Sequence, residues 1–528
     1  MAVITSSGTA AIELHPAIVE ASMSHIPIIA ITADRPYELH DMGAPQTISQ
    51  SGIYGDSLRY EINWPPPTEA DSFAWRNMAY RLLKSATEPN RMGPVHLNVQ
   101  FREPLIDEES TFHDYSDLNL ENYKSAVTVE TGDESSSMST KESIRFVTQA
   151  LNVSTTGDLS SALILALGPP GNSEASELLK LAEDMNWPIG AESRSGLKIR
   201  HRLVIENMNL IAENQVLPDE LSLVIVSGYS ITSKALMNWL KFLKENGVKL
   251  LILDRVNGYY DHLDVGDCFV SGNVGLFLRS LRNEKTLSFK SNVVIDKLKA
   301  LDDSCIATIG SIFCGDELSA PGTSYIVGRC LQYFNAAVIS SSMPIRDFET
   351  YGGAIPPEIP VIANRGANGI DGVVSTALGV STGLSRNIKD KAGKVICLIG
   401  DLAFLYDLSA LVTISSRQLV SLGTTGISVT FVVIDNNGGA IFSYLKQNSV
   451  MNTDEFETLF TTPHDLDISK VCESLNIPVF SPADARELKE TIELSSSMPG
   501  INVIVVRTSI EADKQISLEI RKKILQVL

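Results

Sequence analysis

Two short polar clusters carry the densest chemistry in this 528-residue chain: Gly400-Asp401, and Asp435-Asn436-Asn437-Gly438-Gly439. Asp401 offers a carboxylate, Asn436 an amide oxygen, and Gly438 a backbone carbonyl that no side chain obscures. Three hard oxygens of low total charge suit Mg²⁺, which takes an octahedron and completes it with water and phosphate oxygens. Mn²⁺ accepts the same donors. The glycines let backbone N–H groups approach a phosphate closely. Either cluster alone is also ordinary turn chemistry. Their position sets them apart. Each closes an apolar run, Val395–Ile399 and Val429–Ile434, that reads as a buried strand of a parallel sheet. In open α/β sheets, ligands sit beyond the carboxyl ends of such strands.

Three arginines hold similar places. Arg35 follows the expected strand Pro27–Thr32, Arg346 follows Val338–Ser341, and Arg365 follows Val361–Asn364. A guanidinium stays charged and grips a carboxylate through paired hydrogen bonds. The formal net charge of −20 argues against a nucleic-acid or anionic-membrane partner. It also means that an anionic substrate needs such local arginines. The six cysteines form no CxxC or zinc spacing, so a reducing compartment is expected. No apolar run reaches the ~18 residues of a membrane span. The eight histidines show no catalytic order or paired metal spacing, and core or surface roles are expected for them.

The surrounding pattern alternates strand and helix, which predicts an α/β protein with doubly wound parallel sheets. Residues 1–104 form a first domain, with a helix expected from Ala10 to Met23 and another from Ser72 to Ala86. Residues 105–140 read by composition as a polar, serine-rich linker. Residues 141–290 form a central domain with strands at Ala162–Leu167, Pro188–Ala191, Leu221–Ser227 and Lys249–Asp254. Residues 291–528 form a third domain that holds both clusters.

At these residues the chain resembles a known family. GD…NN after two strands is similar to the thiamine-diphosphate and Mg²⁺ signature of thiamine-dependent enzymes. TSSGTA at 5–10, TADRPYEL at 32–39, GAPQ at 43–46, SSMPIRD at 341–347 and NRGANGIDG at 364–372 narrow it. With these strings the chain resembles the 2-succinyl-5-enolpyruvyl-6-hydroxy-3-cyclohexene-1-carboxylate (SEPHCHC) synthases of menaquinone and phylloquinone biosynthesis, over nearly its whole length. Two departures are visible. Leu402 stands where many thiamine enzymes have glycine. The gap from Asp401 to Asn436 is also long, which reads as a surface insertion.

The resemblance implies three doubly wound parallel-sheet domains of the thiamine-diphosphate enzyme fold, working as a homodimer or tetramer. It implies decarboxylation of 2-oxoglutarate and conjugate addition of the succinyl carbanion equivalent to isochorismate. Asn368, Ile370, Gly400, Leu402, Ala403, Gly439, Ile441 and Phe442 would hold the cofactor, with Ile370 propping it in a bent form. Asp401, Asn436 and Gly438 would hold the metal. Arg35, Gln46, Lys234, Ser342, Arg346, Arg365 and Leu445 would meet the two dicarboxylates. Ile441, Phe442 and Leu445 would also exclude water. The family's activating glutamate lies upstream of the TSSGTA string, which here starts at Thr5, so no catalytic residue is assigned in this chain. About 60 residues of the first domain, two βα units, are expected to be missing, with weak cofactor binding and little catalysis as the result. A plant protein working in plastids is expected, although no transit peptide is visible. Two other readings stay open: a thiamine enzyme of the acetohydroxyacid synthase type, and a non-catalytic remnant that pairs with an intact subunit.

Overall fold

The computed structural model describes residues 1–66, 72–89, 91–103, 105, 136–152, 161–169, 174–218, 220–228, 231–254, 263–284, 293–387, 393–415, 426–445 and 447–527. These fall into two compact units, Met1–Lys141 and Glu142–Leu528.

The first unit holds a four-stranded parallel sheet in the spatial order Ala2–Thr5, Ile29–Asp34, Val95–Gln100, Tyr60–Trp64. The single helix expected over Ala10–Met23 is broken into Thr9–Ile12 and His15–Met23. Pro16 causes the break. Its ring cannot continue a preceding helix, but in the first turn of the next its missing N–H costs nothing. The helix Ser72–Thr87 packs Met78, Leu82 and Ala86 over the sheet residues Val95, Leu97 and Val99. Most of the serine-rich stretch lies outside the described residues, and a helix, Ser136–Asn152, begins inside it.

The second unit holds two six-stranded parallel sheets. The central sheet runs Cys268–Ser271, Lys249–Asp254, Leu221–Ser227, Ser161–Ala166, Ile189–Ala191, Val204–Ile205. The third sheet runs Val361–Ile362, Ala336–Ile339, Gly393–Gly400, Ile427–Asp435, Gly500–Arg507, Val479–Phe480. Its middle strands are buried on both faces, so Val395–Ile399 and Val429–Ile434 are unbroken apolar runs. Among the described residues, no helix is long and apolar enough to cross a membrane.

One core joins the central sheet to helices from the C-terminal half of the chain. Leu163, Leu165, Val224 and Leu250 of the central sheet pack with Val294 and Leu298 of the helix Val293–Ile312. Tyr351, Ile520 and Ile524 join the same core, the last two from the C-terminal helix Ile510–Val527.

The helices Ala320–Cys330 and Met343–Tyr351 cross very closely. A Cβ at Gly328 would lie 1.9 Å from the Gly352 carbonyl oxygen. Backbone cannot retreat as a flexible side chain can. Gly328→Ala should therefore cost about 3 kcal/mol of stability. A fall in the urea midpoint at unchanged m-value is the expected readout; an unchanged midpoint would contradict the close crossing.

Candidate active site

In the third sheet the chain runs outward from Ala336–Ile339 to Val361–Ile362, then returns past it to Gly393–Gly400. The strand order reverses there, and the carboxyl ends diverge around a crevice. Register puts the two polar clusters side by side: Gly400 pairs with Ile434, so Asp401 and Asp435 leave neighbouring strands together. A cavity of about 360 Å³ opens at this point.

Gly400, Asp401, Leu402 and Ala403 line the cavity from one strand end, and Asn436, Gly438, Gly439, Ile441 and Phe442 from the next. Ser342, Arg346, Arg365, Asn368 and Ile370 complete the wall. The residues expected to hold cofactor and metal therefore converge on one concave surface, together with two of the arginines.

The clasp is built around Asp401, which is 2% exposed. Its Oδ1 accepts a hydrogen bond from the Leu402 N–H at 2.6 Å. Its Oδ2 accepts from the N–H groups of Gly438 at 2.9 Å and Asn436 at 3.2 Å. Burial pushes the carboxyl above its ordinary range, and the Gly438 and Leu402 N–H groups and His464 pull it back. Gly438 adopts φ +143°, and a Cβ there would stand 2.3 Å from the Thr461 carbonyl oxygen. Only glycine fits.

Sequence reasoning missed three supports. His464 Nε2 lies 3.4 Å from Asp401 Oδ2 and 3.7 Å from Asp435 Oδ1, so this histidine has neither a core nor a plain surface role. Asn437 holds the loop that carries it. Its Oδ1 accepts from the N–H groups of His464 and Asp465, and its Nδ2 donates to Asp465 Oδ1. Asp407 accepts from the N–H groups of Gly372 and Val374, capping the helix Val373–Asn387 and fixing the approach of Asn368–Ile370. Asp407 stands six residues after Asp401, but its partners lie 35 and 33 residues away. No local pattern announces that.

The donor chemistry fits a hard divalent cation. Asp401 and Asn436 supply side-chain oxygens and Gly438 a carbonyl, the set Mg²⁺ prefers. A second set, Asp401, Asp435 and His464, brings its ligand atoms within 4.8 Å of one another. Its imidazole nitrogen makes it the softer of the two.

Two arginines line the same cavity. Ser342 caps the helix Met343–Tyr351 at φ 73° and ψ −134°, a conformation glycine adopts freely and serine rarely. Such a residue stores about 1–3 kcal/mol of strain and persists where surroundings over-determine it. Arg346 donates back to the Ser342 carbonyl and is half-buried. Arg365 is 7% exposed.

Two expected residues stand outside the cavity lining. Leu445 is 42% exposed and does not line the cavity. Lys234 is exposed in the first turn of the helix Lys234–Glu245, also away from the lining. Arg35 and Gln46 belong to the first unit. Arg35 follows a buried polar network in which Asn98 Nδ2 donates to Asp34 Oδ2 and Gln50 Nε2 donates to Asn98 Oδ1, each at 2.8 Å. Gln46 is exposed at φ 56°.

Comparison with known proteins agrees with this geometry. Residues 363–506 match the C-terminal TPP-binding domain of thiamine pyrophosphate enzymes. The SEPHCHC synthase of Bacillus velezensis is 30% identical over 99% of this chain and 85% of its own length. That of Geobacillus thermodenitrificans is 32% identical over 96% of this chain and 82% of its own. A solved Mycobacterium smegmatis structure, described as thiamin diphosphate-dependent, shares the fold. Its TM-score is 0.63 at 16% identity, covering 96% of this chain and 87% of that one. With relatives this similar over nearly its full length, the chain belongs to the 2-succinyl-5-enolpyruvyl-6-hydroxy-3-cyclohexene-1-carboxylate synthase family.

Proposed function

We propose that this protein is a thiamine-diphosphate-dependent transferase that decarboxylates 2-oxoglutarate and adds the resulting four-carbon unit to isochorismate, in menaquinone biosynthesis. The observation that carries this reading is the convergence of Asp401, Asn436, Gly438, Arg346 and Arg365 on one cavity at the switch point of the third sheet. Oxygen donors and guanidinium groups in one cavity match a metal-bound diphosphate and a carboxylate-bearing substrate. The curated relatives carry the name of the same reaction.

Mg²⁺ bound by Asp401, Asn436 and Gly438 would anchor the diphosphate, with Mn²⁺ able to replace it. Once bound, thiamine diphosphate supplies the electron sink for losing CO₂ and for forming the new carbon–carbon bond. The chain supplies the rest. Ala403, at the start of the helix Asp401–Tyr406, offers its backbone N–H to a phosphate oxygen. Ile370 gives the ring system an apolar support. Ile441 and Phe442 keep water from the reacting carbon. Arg346 and Arg365 hold substrate carboxylates, and Ser342 fixes the start of the Arg346 helix. A homodimer is the expected working form.

The test is isochorismate-dependent CO₂ release from 2-oxoglutarate by the full chain with Mg²⁺ and thiamine diphosphate. Arg346→Ala should raise the KM for 2-oxoglutarate by about 10–150-fold, the worth of a charged hydrogen bond. A KM within twofold of the parent would remove Arg346 from the substrate site.

A further inference from the structure

The inner wall of the cavity holds two buried carboxyl groups that the proposed chemistry does not use. Asp347 follows Arg346 on the helix Met343–Tyr351, and Asp513 lies in the first turn of the helix Ile510–Val527. Each is 5% exposed, and both line the cavity. Asp513 is tied into the fold: it accepts from the Ala320 N–H at 2.7 Å, from the Thr508 hydroxyl at 2.8 Å and from the Asn436 side-chain amide.

The charged and titratable groups facing Asp347 come from three elements. Asp513 and Arg521 approach from the last helix, and Arg346 from its own. The phenols of Tyr351, on the same helix, and Tyr444, on the turn Ala440–Tyr444, also face it. Arg521 already forms an ion pair with Glu213 at 2.9 Å. Asp347 therefore has one like-charged neighbour, one cation engaged elsewhere, and one cation, Arg346, that opens onto the cavity.

A buried carboxylate beside another carboxylate is costly, and the usual remedy is a proton. We propose that Asp347 is protonated in the resting enzyme, so that Arg346 stands in the cavity as an uncompensated cation for a substrate carboxylate. Asp347 thereby sets the anion selectivity of the site. It is a positioning residue in the electrostatic sense: it acts through Arg346. This inference rests on reading Arg346 as the carboxylate anchor. Burial first, and Asp513 second, push the Asp347 carboxyl up to about 8, against the pull of Arg521 and Arg346. Burial also lowers Arg346, and Asp347 raises it.

The sign follows from linkage. A bound dicarboxylate places more negative charge near Asp347 and favours its protonated form. At pH 7 the proton is already present and binding takes up little. As pH rises through about 8, Asp347 ionises, Arg346 is neutralised from within, and anion affinity falls.

The experiment measures calorimetric binding of glutarate, an unreactive dicarboxylate, to the Mg²⁺–thiamine diphosphate-loaded full chain. It uses buffers of unlike ionisation enthalpy at pH 7 and pH 9. The parent should bind about tenfold more weakly at pH 9 and take up close to one proton there. Asp347→Asn, a permanently neutral mimic, should bind equally at both pH values with no uptake. Flat affinity in the parent, or a slope surviving in Asp347→Asn, overturns the proposal while leaving the anchor reading intact. Glutarate binding unchanged by Arg346→Ala overturns the anchor reading itself. If Asp347→Asn does not fold, infrared difference spectra of the aspartate-labelled parent decide the matter. A neutral carboxyl band should vanish between pH 7 and pH 9 and survive with glutarate; no such band overturns the proposal.

Discussion

Asp401→Ala is expected to lower the affinity for Mg²⁺ and thiamine diphosphate by at least about 100-fold, and turnover with it. Two losses coincide. The change removes the charged oxygen of the proposed metal site. It also leaves the buried N–H groups of Leu402, Asn436 and Gly438 without their acceptor. Buried donors left unmade cost about 1–3 kcal/mol each, so the loop Asp435–Gly439 should loosen as well. Calorimetric titration of thiamine diphosphate in the presence of Mg²⁺ measures the first effect; hydrogen exchange at Asn436 and Gly438 measures the second. Retained affinity in a folded Asp401→Ala protein would place the metal elsewhere, with Asp435 and His464 the next donors to test.

Gly438→Ala should abolish cofactor-dependent activity without touching a side-chain ligand. At φ +143° an alanine is strained by about 1–3 kcal/mol. Its methyl group would also meet the Thr461 carbonyl, the acceptor of the Gly439 N–H at 2.7 Å. The loop that carries His464 must then move, taking the Gly438 carbonyl with it. The expected pattern is a folded protein, with melting lowered by several degrees, that binds no cofactor. An alanine variant with parental activity would show that the turn is not required in this form.

The strands that carry the clasp were legible because parallel strands buried on both faces are continuous apolar runs. Val395–Ile399 and Val429–Ile434 lie within the observed Gly393–Gly400 and Ile427–Asp435. The strands Val204–Ile205, Cys268–Ser271 and Val479–Phe480 were not legible. With two to four residues each, they show no period and exist because a neighbour pairs with them. Tyr60–Trp64 hid for a different reason: its exposure does not alternate cleanly. Site residues that follow strands could be read from position. Those that act at a distance could not. Asp407 reaches Gly372, Asn437 holds His464, and Asp513 meets the cavity from the last helix. Lys234 and Leu445, which the resemblance nominates, stand outside the cavity lining.

The C-terminal helix has a further consequence for how the protein comes apart. Its first turn lines the active cavity through Ile510 and Asp513, and its last turns bury Ile520 and Ile524 in the core of the central sheet. Two sheets that look like separate folding modules thus share one clamp. Residues 142–528 should melt as a single cooperative transition, with no stage at which the central sheet survives alone.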